Sequence, residues 1–157
     1  MKTTLVLVGK TEEKYLIEAC GIYVDKLSHY IDFDMVVIPA LKNTKALSPA
    51  MVKEKEGELI LKQIQPADYV VLLDEKGAML TSVEFSTFFQ QRQLSSIKQL
   101  KFVIGGAYGF SADVYVRKNQ LLSLSKMTFS HQMVRLIFLE QLYRAQTILR
   151  NEPYHHI

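Results

Sequence analysis

Residues 69–93 read YVVLLDEKGAMLTSVEFSTFFQQRQ, and two structural periods follow one another inside them. Tyr69 to Leu73 is an unbroken apolar run of strand length, the pattern of a strand buried on both faces. Asp74-Glu75-Lys76-Gly77 is charged and turn-forming, and predicts the end of that strand. Thr81 and Glu84 stand at capping-box spacing, with Leu80 and Phe85 placed to staple across the cap. A helix is therefore predicted from there to about residue 93. A buried strand followed at once by a capped helix is the unit of an α/β fold.

The same unit repeats outward in both directions. Upstream, Leu5 to Val8 is a short strand ending at Gly9. Leu16, Cys20, Tyr23, Leu27 and Tyr30 then line one face of a helix over about residues 11–30. Phe33 to Ile38 is a second strand, closed by Pro39, and 40–47 is a lysine-bearing loop. Ser48-Pro49 gives an N-cap with proline at the first helical position, opening a helix through KEKEGE that ends near Pro66. Downstream, Phe102-Val103-Ile104 is a strand running into Gly105-Gly106. Ser111 can cap a short helix to about Lys118, and Leu121 to Ser125 is a fifth strand interleaved with serines. Ser130 can cap the last and longest helix, with Phe129 and Val134 in staple positions. That helix runs to about Arg150, before Pro153. Five strands alternating with five helices predict one α/β domain over residues 1–157, with a mainly parallel sheet and flanking helices.

Composition agrees with a globular chain of one core. Of 157 residues, 48% are hydrophobic and 22% charged, near globular averages. Cys20 is the only cysteine, which excludes an intrachain disulfide and a cysteine-rich zinc site. No apolar run approaches the roughly 18 residues of a membrane span, and the one in MKTTLVLVGK is too short for a signal-peptide core. A cytoplasmic protein is expected. Charge is uneven. Residues 1–91 carry 10 basic and 13 acidic side chains, whereas 92–157 carry 9 basic and 3 acidic, with three of the four histidines. A basic C-terminal part suits a polyanion such as RNA; an imbalance on a solvated face is the alternative.

Ligands of open α/β sheets sit beyond the carboxyl ends of the strands. Three such ends carry unusual sequence: Leu73-Asp74-Glu75-Lys76-Gly77, Gly105-Gly106-Ala107-Tyr108-Gly109, and Leu124-Ser125-Lys126-Met127-Thr128-Phe129. Glycines at 105, 106 and 109 let main chain approach a ligand closely. Their spacing and their place after the fourth strand differ from a dinucleotide fingerprint, and there is no phosphate-binding GxxxxGK[ST]. No GxSxG is present either. Cys20 lies on the apolar stripe of the first helix and reads as packed core. His131 falls in the first turn of the last helix as a neutral hydrogen-bonding candidate. Arg135 and Arg144, nine residues apart on that helix, point to opposite faces. His155-His156 lack a third metal ligand at sensible spacing, so no metal is expected.

Taken in order, LVLVGK, KEGE, VVLLDEKG, FVIGGAYGF, LSLSKMTFSHQMVR, LEQLYRAQTI and PYHH span nearly the whole chain. Together they resemble the RlmH family of SPOUT-class methyltransferases. The resemblance implies an enzyme that uses S-adenosyl-L-methionine to methylate N3 of a pseudouridine in 23S rRNA within the assembled ribosome. It implies a trefoil knot formed by the C-terminal part, with the last helix threading a loop near IGGAYG. It assigns the cofactor to Leu73, Gly105 and the run Leu124, Ser125, Lys126, Met127, Thr128 and Phe129, mostly through main chain. It implies a homodimer with a shared active site, for which Met133, Ile137, Leu142 and Tyr143 are an interface candidate. His131, Tyr154 and His155 become candidates for positioning the base and assisting proton loss. Arg135 and Arg144 become candidates for binding phosphate or stabilising the anion that develops on the base.

Two positions depart from the family pattern. Ser130 stands where proline is usual, and His156 where Lys or Arg is usual. Rival readings are a SPOUT enzyme with another RNA target, a non-catalytic ribosome-binding factor that kept the fold, and a flavodoxin-like nucleotide-binding protein. The intact glycine loop and LSLSKMTF favour the methyltransferase.

Overall fold

In the computed structural model, which describes residues 1–156, the hydrophobic periods of the sequence become alternating strands and helices. The strands are β1 (Lys2–Val8), β2 (Phe33–Ile38), β3 (Tyr69–Met79), β4 (Gln99–Ile104) and β5 (Gln120–Ser123). The helices are α1 (Lys14–Ser28), α2 (Pro49–Lys62), α3 (Ser82–Leu94), α4 (Ala112–Arg117) and α5 (Met133–Leu149), with a 3-10 turn at Thr44–Ala46. The sheet order is β2-β1-β4-β3-β5, and all four pairings are parallel. The expected α/β architecture is present.

Alternation along the central strands sorts the core into two layers. Leu5, Leu7, Val71, Leu100, Phe102 and Ile104 face a layer filled by α1, α3 and α5, including Leu27, Phe85, Phe89, Phe138 and Leu142. Val6, Val8, Val70, Leu72 and Val103 face the other, with Ile60 of α2 and Val114 of α4. The Phe102 and Phe138 rings meet at 4.8 Å between centroids. Cys20 is 4% exposed, and burial pushes its thiol up from the ordinary value, as suits a packed, unreactive side chain.

The predicted caps are present where hydroxyl and amide can meet. Thr81 and Glu84 form the full reciprocal box, and the Ser48 hydroxyl accepts from Met51 N–H. Ser130 works one turn ahead of α5, accepting from Met133 N–H at 3.1 Å. Ser111 makes no side-chain cap bond. Helix α1 is shorter than its apolar stripe, because Tyr30 lies beyond it in the following turn.

Strand β5 ends at Ser123 rather than Ser125, and the end of β3 differs most from expectation. Asp74-Glu75-Lys76-Gly77 does not end β3. Both Leu73 and Ala78 pair with Leu122, so the four residues bulge out and the strand resumes to Met79. Gly77 permits this, because a Cβ there would stand 2.5 Å from the Leu122 nitrogen. Charge marks the bulge, and only the partner strand shows that pairing continues.

The chain from β5 to α5 sets up the site. It leaves the sheet edge and reaches the far side of β4. There Gln132 Nε2 donates to Lys10 O at 3.2 Å, and its Oε1 accepts from Glu12 N–H at 3.0 Å. Residues 124–132 therefore cross the carboxyl ends of β3 and β4, alongside the glycine loop.

Candidate functional site

A cavity of about 530 Å³ opens where those three segments meet. One wall is Leu73 with the bulge Asp74–Lys76, a second is Ile104 to Phe110, and a third is Leu122 to Ser125 with Met127 to His131. Each segment follows the carboxyl end of a parallel strand, so the site arises at the place the topology favours. Of the residues expected to hold a cofactor, Leu73, Gly105, Leu124, Ser125, Met127, Thr128 and Phe129 line the cavity. Lys126 shares their turn but does not line it.

Three of the lining residues, Gly105, Gly106 and Gly109, offer the cavity only main chain. A Cβ at Gly105 would approach the Phe110 ring to 3.1 Å, and Gly109 has φ +81°. Gly109 N–H donates to Gly106 O at 3.1 Å, closing the turn. The serines that interleave β5 tie the opposite segment: Ser123 Oγ donates to Ser125 O at 2.9 Å, and Ser125 Oγ accepts from Met127 N–H at 2.9 Å. Asp74 and Glu75 also line the cavity. Tyr115 of α4, another lining residue, donates its hydroxyl to Asp74 Oδ2 at 2.5 Å. Burial first, then this bond, pushes the Tyr115 hydroxyl well above the usual tyrosine range. Nothing in the local sequence pointed to Tyr115, because the pairing joins positions 41 residues apart.

The five candidates for chemistry divide into three places. His131 lines the cavity. Arg135, a candidate for binding phosphate, is fully buried. Its Nε donates to His131 O at 3.0 Å, one terminal nitrogen to Thr11 Oγ1 at 3.1 Å, and the other to Val8 O at 2.8 Å. The side chain is a strut from α5 to the end of β1, and burial pulls its guanidinium down from the ordinary value.

Arg144, Tyr154 and His155 form a separate cluster where the tail folds back on α1 and α5. Arg144 Nε donates to Glu140 Oε1 at 3.1 Å, with a terminal nitrogen paired to the same carboxylate. Tyr154 Oη donates to Glu140 Oε1 at 3.1 Å, and His155 Nδ1 lies 3.4 Å from Arg144. Arg144 also stacks over the Tyr154 ring at 4.7 Å. Tyr143 packs edge-on against Tyr154 at 4.9 Å and against Tyr30 at 5.5 Å. Tyr30 donates to Glu152 at 2.6 Å. Burial and hydrogen bonds to Tyr23 and Glu140 push Tyr154 well above the usual range, so it is a donor at neutral pH. The hydrogen bond to Glu140 pushes Arg144 up. Glu140, which accepts from both, was not among the sequence candidates; its i, i+4 spacing to Arg144 was the available signal.

Helix α5 rises about 17 Å along its axis from Met133 to Arg144, and none of Arg144, Tyr154 and His155 lines the cavity. The cavity and the tail cluster are thus apart within one chain. Of the proposed interface stripe, Leu142 is core, while Met133 and Ile137 are half-buried. Among the described residues there is no group of three or more metal-ligating side chains, and no helix long and apolar enough to cross a membrane.

The chain was compared with known proteins on this footing. A family model described as predicted SPOUT methyltransferase matches residues 1–155. A protein of Parabacteroides distasonis named ribosomal RNA large subunit methyltransferase H is 59% identical over 156 residues, covering 99% of each chain. Proteins of the same name from Phocaeicola vulgatus and Bacteroides fragilis are 58% and 56% identical, again over 99% of each chain.

Proposed function

The chain belongs to the SPOUT methyltransferase family, and from that premise we propose that it methylates N3 of a pseudouridine in 23S rRNA of assembled ribosomes, using S-adenosyl-L-methionine. The observation that carries this reading is the cavity at the ends of β3, β4 and β5, to which Gly105, Gly106 and Gly109 offer only main chain. Family membership implies the trefoil knot.

The residues present fit such a cofactor. Apolar Leu73, Leu124 and Phe129 suit an adenine face, the glycine loop brings main chain within reach of a nucleoside edge, and Asp74 with Glu75 complements a cation. When bound, the sulfonium would supply an electrophilic methyl group. The chain's own residues do the remainder. The three loops exclude water and aim the ligand, so that alignment contributes most of the rate. His131 at the cavity wall positions the incoming base. Arg144 stabilises negative charge as N3 loses its proton, and Tyr154 and His155 hold the base in place.

None of these last groups lines the cavity of its own chain. The active site is therefore completed by a second copy, whose tail cluster faces the cavity. Half-buried Met133 and Ile137 on α5 give that homodimer an apolar contact. Ribosomes as substrate place the enzyme in the cytoplasm.

The test is transfer of labelled methyl from S-adenosyl-L-methionine to intact ribosomes, with ribosomes lacking the pseudouridine as control. Transfer that needs the pseudouridine is expected. Cofactor binding without transfer would point to another RNA target, and RNA binding without cofactor binding to a ribosome-binding factor.

A further inference from the structure

Glu56 of α2, within KEGE, has no part in the chemistry above. It is 9% exposed, and its Oε2 is buried without a hydrogen-bond partner. Such groups are uncommon in native interiors and call for a reason. The carboxyl lies on Gly106: a Cβ at 106 would stand 2.8 Å from Oε1 and overlap Oε2. The other side of Gly106 is cavity wall. The next residue, Gly57, is equally close to the far end of the same loop, where a Cβ would stand 2.9 Å from Ser111 Cβ. Two consecutive residues of α2 thus grip both ends of the 105–111 loop from behind. Burial pushes the Glu56 carboxyl up, toward the neutral form that tolerates this site.

We propose that Glu56 is a positioning residue for the cofactor site, its carboxyl setting how far the glycine loop projects into the cavity. This rests on the cavity being the S-adenosyl-L-methionine site. Binding of S-adenosyl-L-methionine to the purified protein, measured by calorimetry, tests it alongside the melting temperature. Glu56→Ala should weaken binding roughly tenfold, and Glu56→Gln, which keeps the shape, should restore it to within about threefold of wild type. With ribosomes as substrate, KM for the cofactor should rise in Glu56→Ala while kcat at saturation holds. Gly106→Ala should also weaken binding, because its methyl group meets the carboxyl. Combining it with Glu56→Ala removes the clash, so the double variant should bind no worse than the weaker single variant.

Unchanged affinity in Glu56→Ala, a Glu56→Gln variant as weak as Glu56→Ala, or fully additive losses in the double variant would each overturn the proposal. A wild type that binds no S-adenosyl-L-methionine would overturn the functional reading as well, so the two failures are distinguishable.

Discussion

At the carboxyl ends of β3, β4 and β5 the cavity wall includes three glycines, which offer only main chain, and serines bonded within their own turn. On the tail side of α5 the arrangement is the reverse. There Glu140, Arg144, Tyr154 and His155 touch one another through their side chains. The first region can take up a ligand because its shape is fixed by the chain path. The second can act on charge because its side chains are already oriented, with Tyr30, Tyr23 and Tyr143 packed beneath them. Substitution should therefore affect the two regions differently. Side-chain truncation should silence the tail cluster, whereas the cavity should respond mainly to changes in backbone position.

Arg135, the strut between α5 and the end of β1, gives the largest expected effect. Arg135→Ala leaves Val8 O, His131 O and Thr11 without their donor and opens a void in the core. A loss of about 3–5 kcal/mol is expected, or roughly 10 °C in calorimetric melting temperature. A loss below about 1 kcal/mol would deny it the role of strut and return it to the list of phosphate ligands.

Arg144→Ala comes next. It should lower kcat on ribosomes about 100-fold while cofactor affinity stays within about threefold. A parallel fall in affinity would mean that cavity and tail cluster are one binding unit, and would break the comparison at its centre.

Tyr154→Phe removes one donor to Glu140 and should cost about tenfold in kcat. His155→Ala belongs with it: full turnover in both variants, with cofactor binding intact, would remove the tail from catalysis. The raised tyrosine also predicts a pH dependence of stability. Tyr154 keeps its proton in the folded state to higher pH than in the unfolded chain. Its contribution is complete below the ordinary tyrosine value of about 10 and declines as pH rises beyond it. Melting temperature should thus fall less steeply above that pH in Tyr154→Phe than in wild type, and identical slopes would show that the hydroxyl is not held in the fold.

Much of this was legible in the sequence, for identifiable reasons. Thr81 with Glu84, and Ser48 with Pro49, carry local chemistry that fixes where helices start, and both caps formed. The three loops were legible because ligands of parallel sheets gather at strand ends. The bulge at 74–77 was not, because its cause is the Leu122 backbone across the sheet. The burial of Arg135 was not legible for a related reason. An arginine on an amphipathic helix usually faces water, and only the end of β1, more than 120 residues away in sequence, supplies the acceptors that bury it. Glu56 was visible as a motif, yet its pressure on Gly106 is a property of how α2 meets the loop.

The smallest expected effect is the sharpest test of a wall made of main chain. Met127 lines the cavity, yet it is 77% exposed, so its side chain extends mostly into solvent. Its backbone is held by its own N–H, which donates to Ser125 Oγ at 2.9 Å. Met127→Ala leaves that bond in place and should change S-adenosyl-L-methionine affinity by less than about threefold, under about 0.7 kcal/mol. Ser125→Ala removes the bond and keeps almost the same cavity volume, so it should weaken binding more than the larger truncation does. If Met127→Ala were the more damaging of the two, side-chain contact would hold the ligand here as well, and the contrast between the two regions would reduce to one of charge.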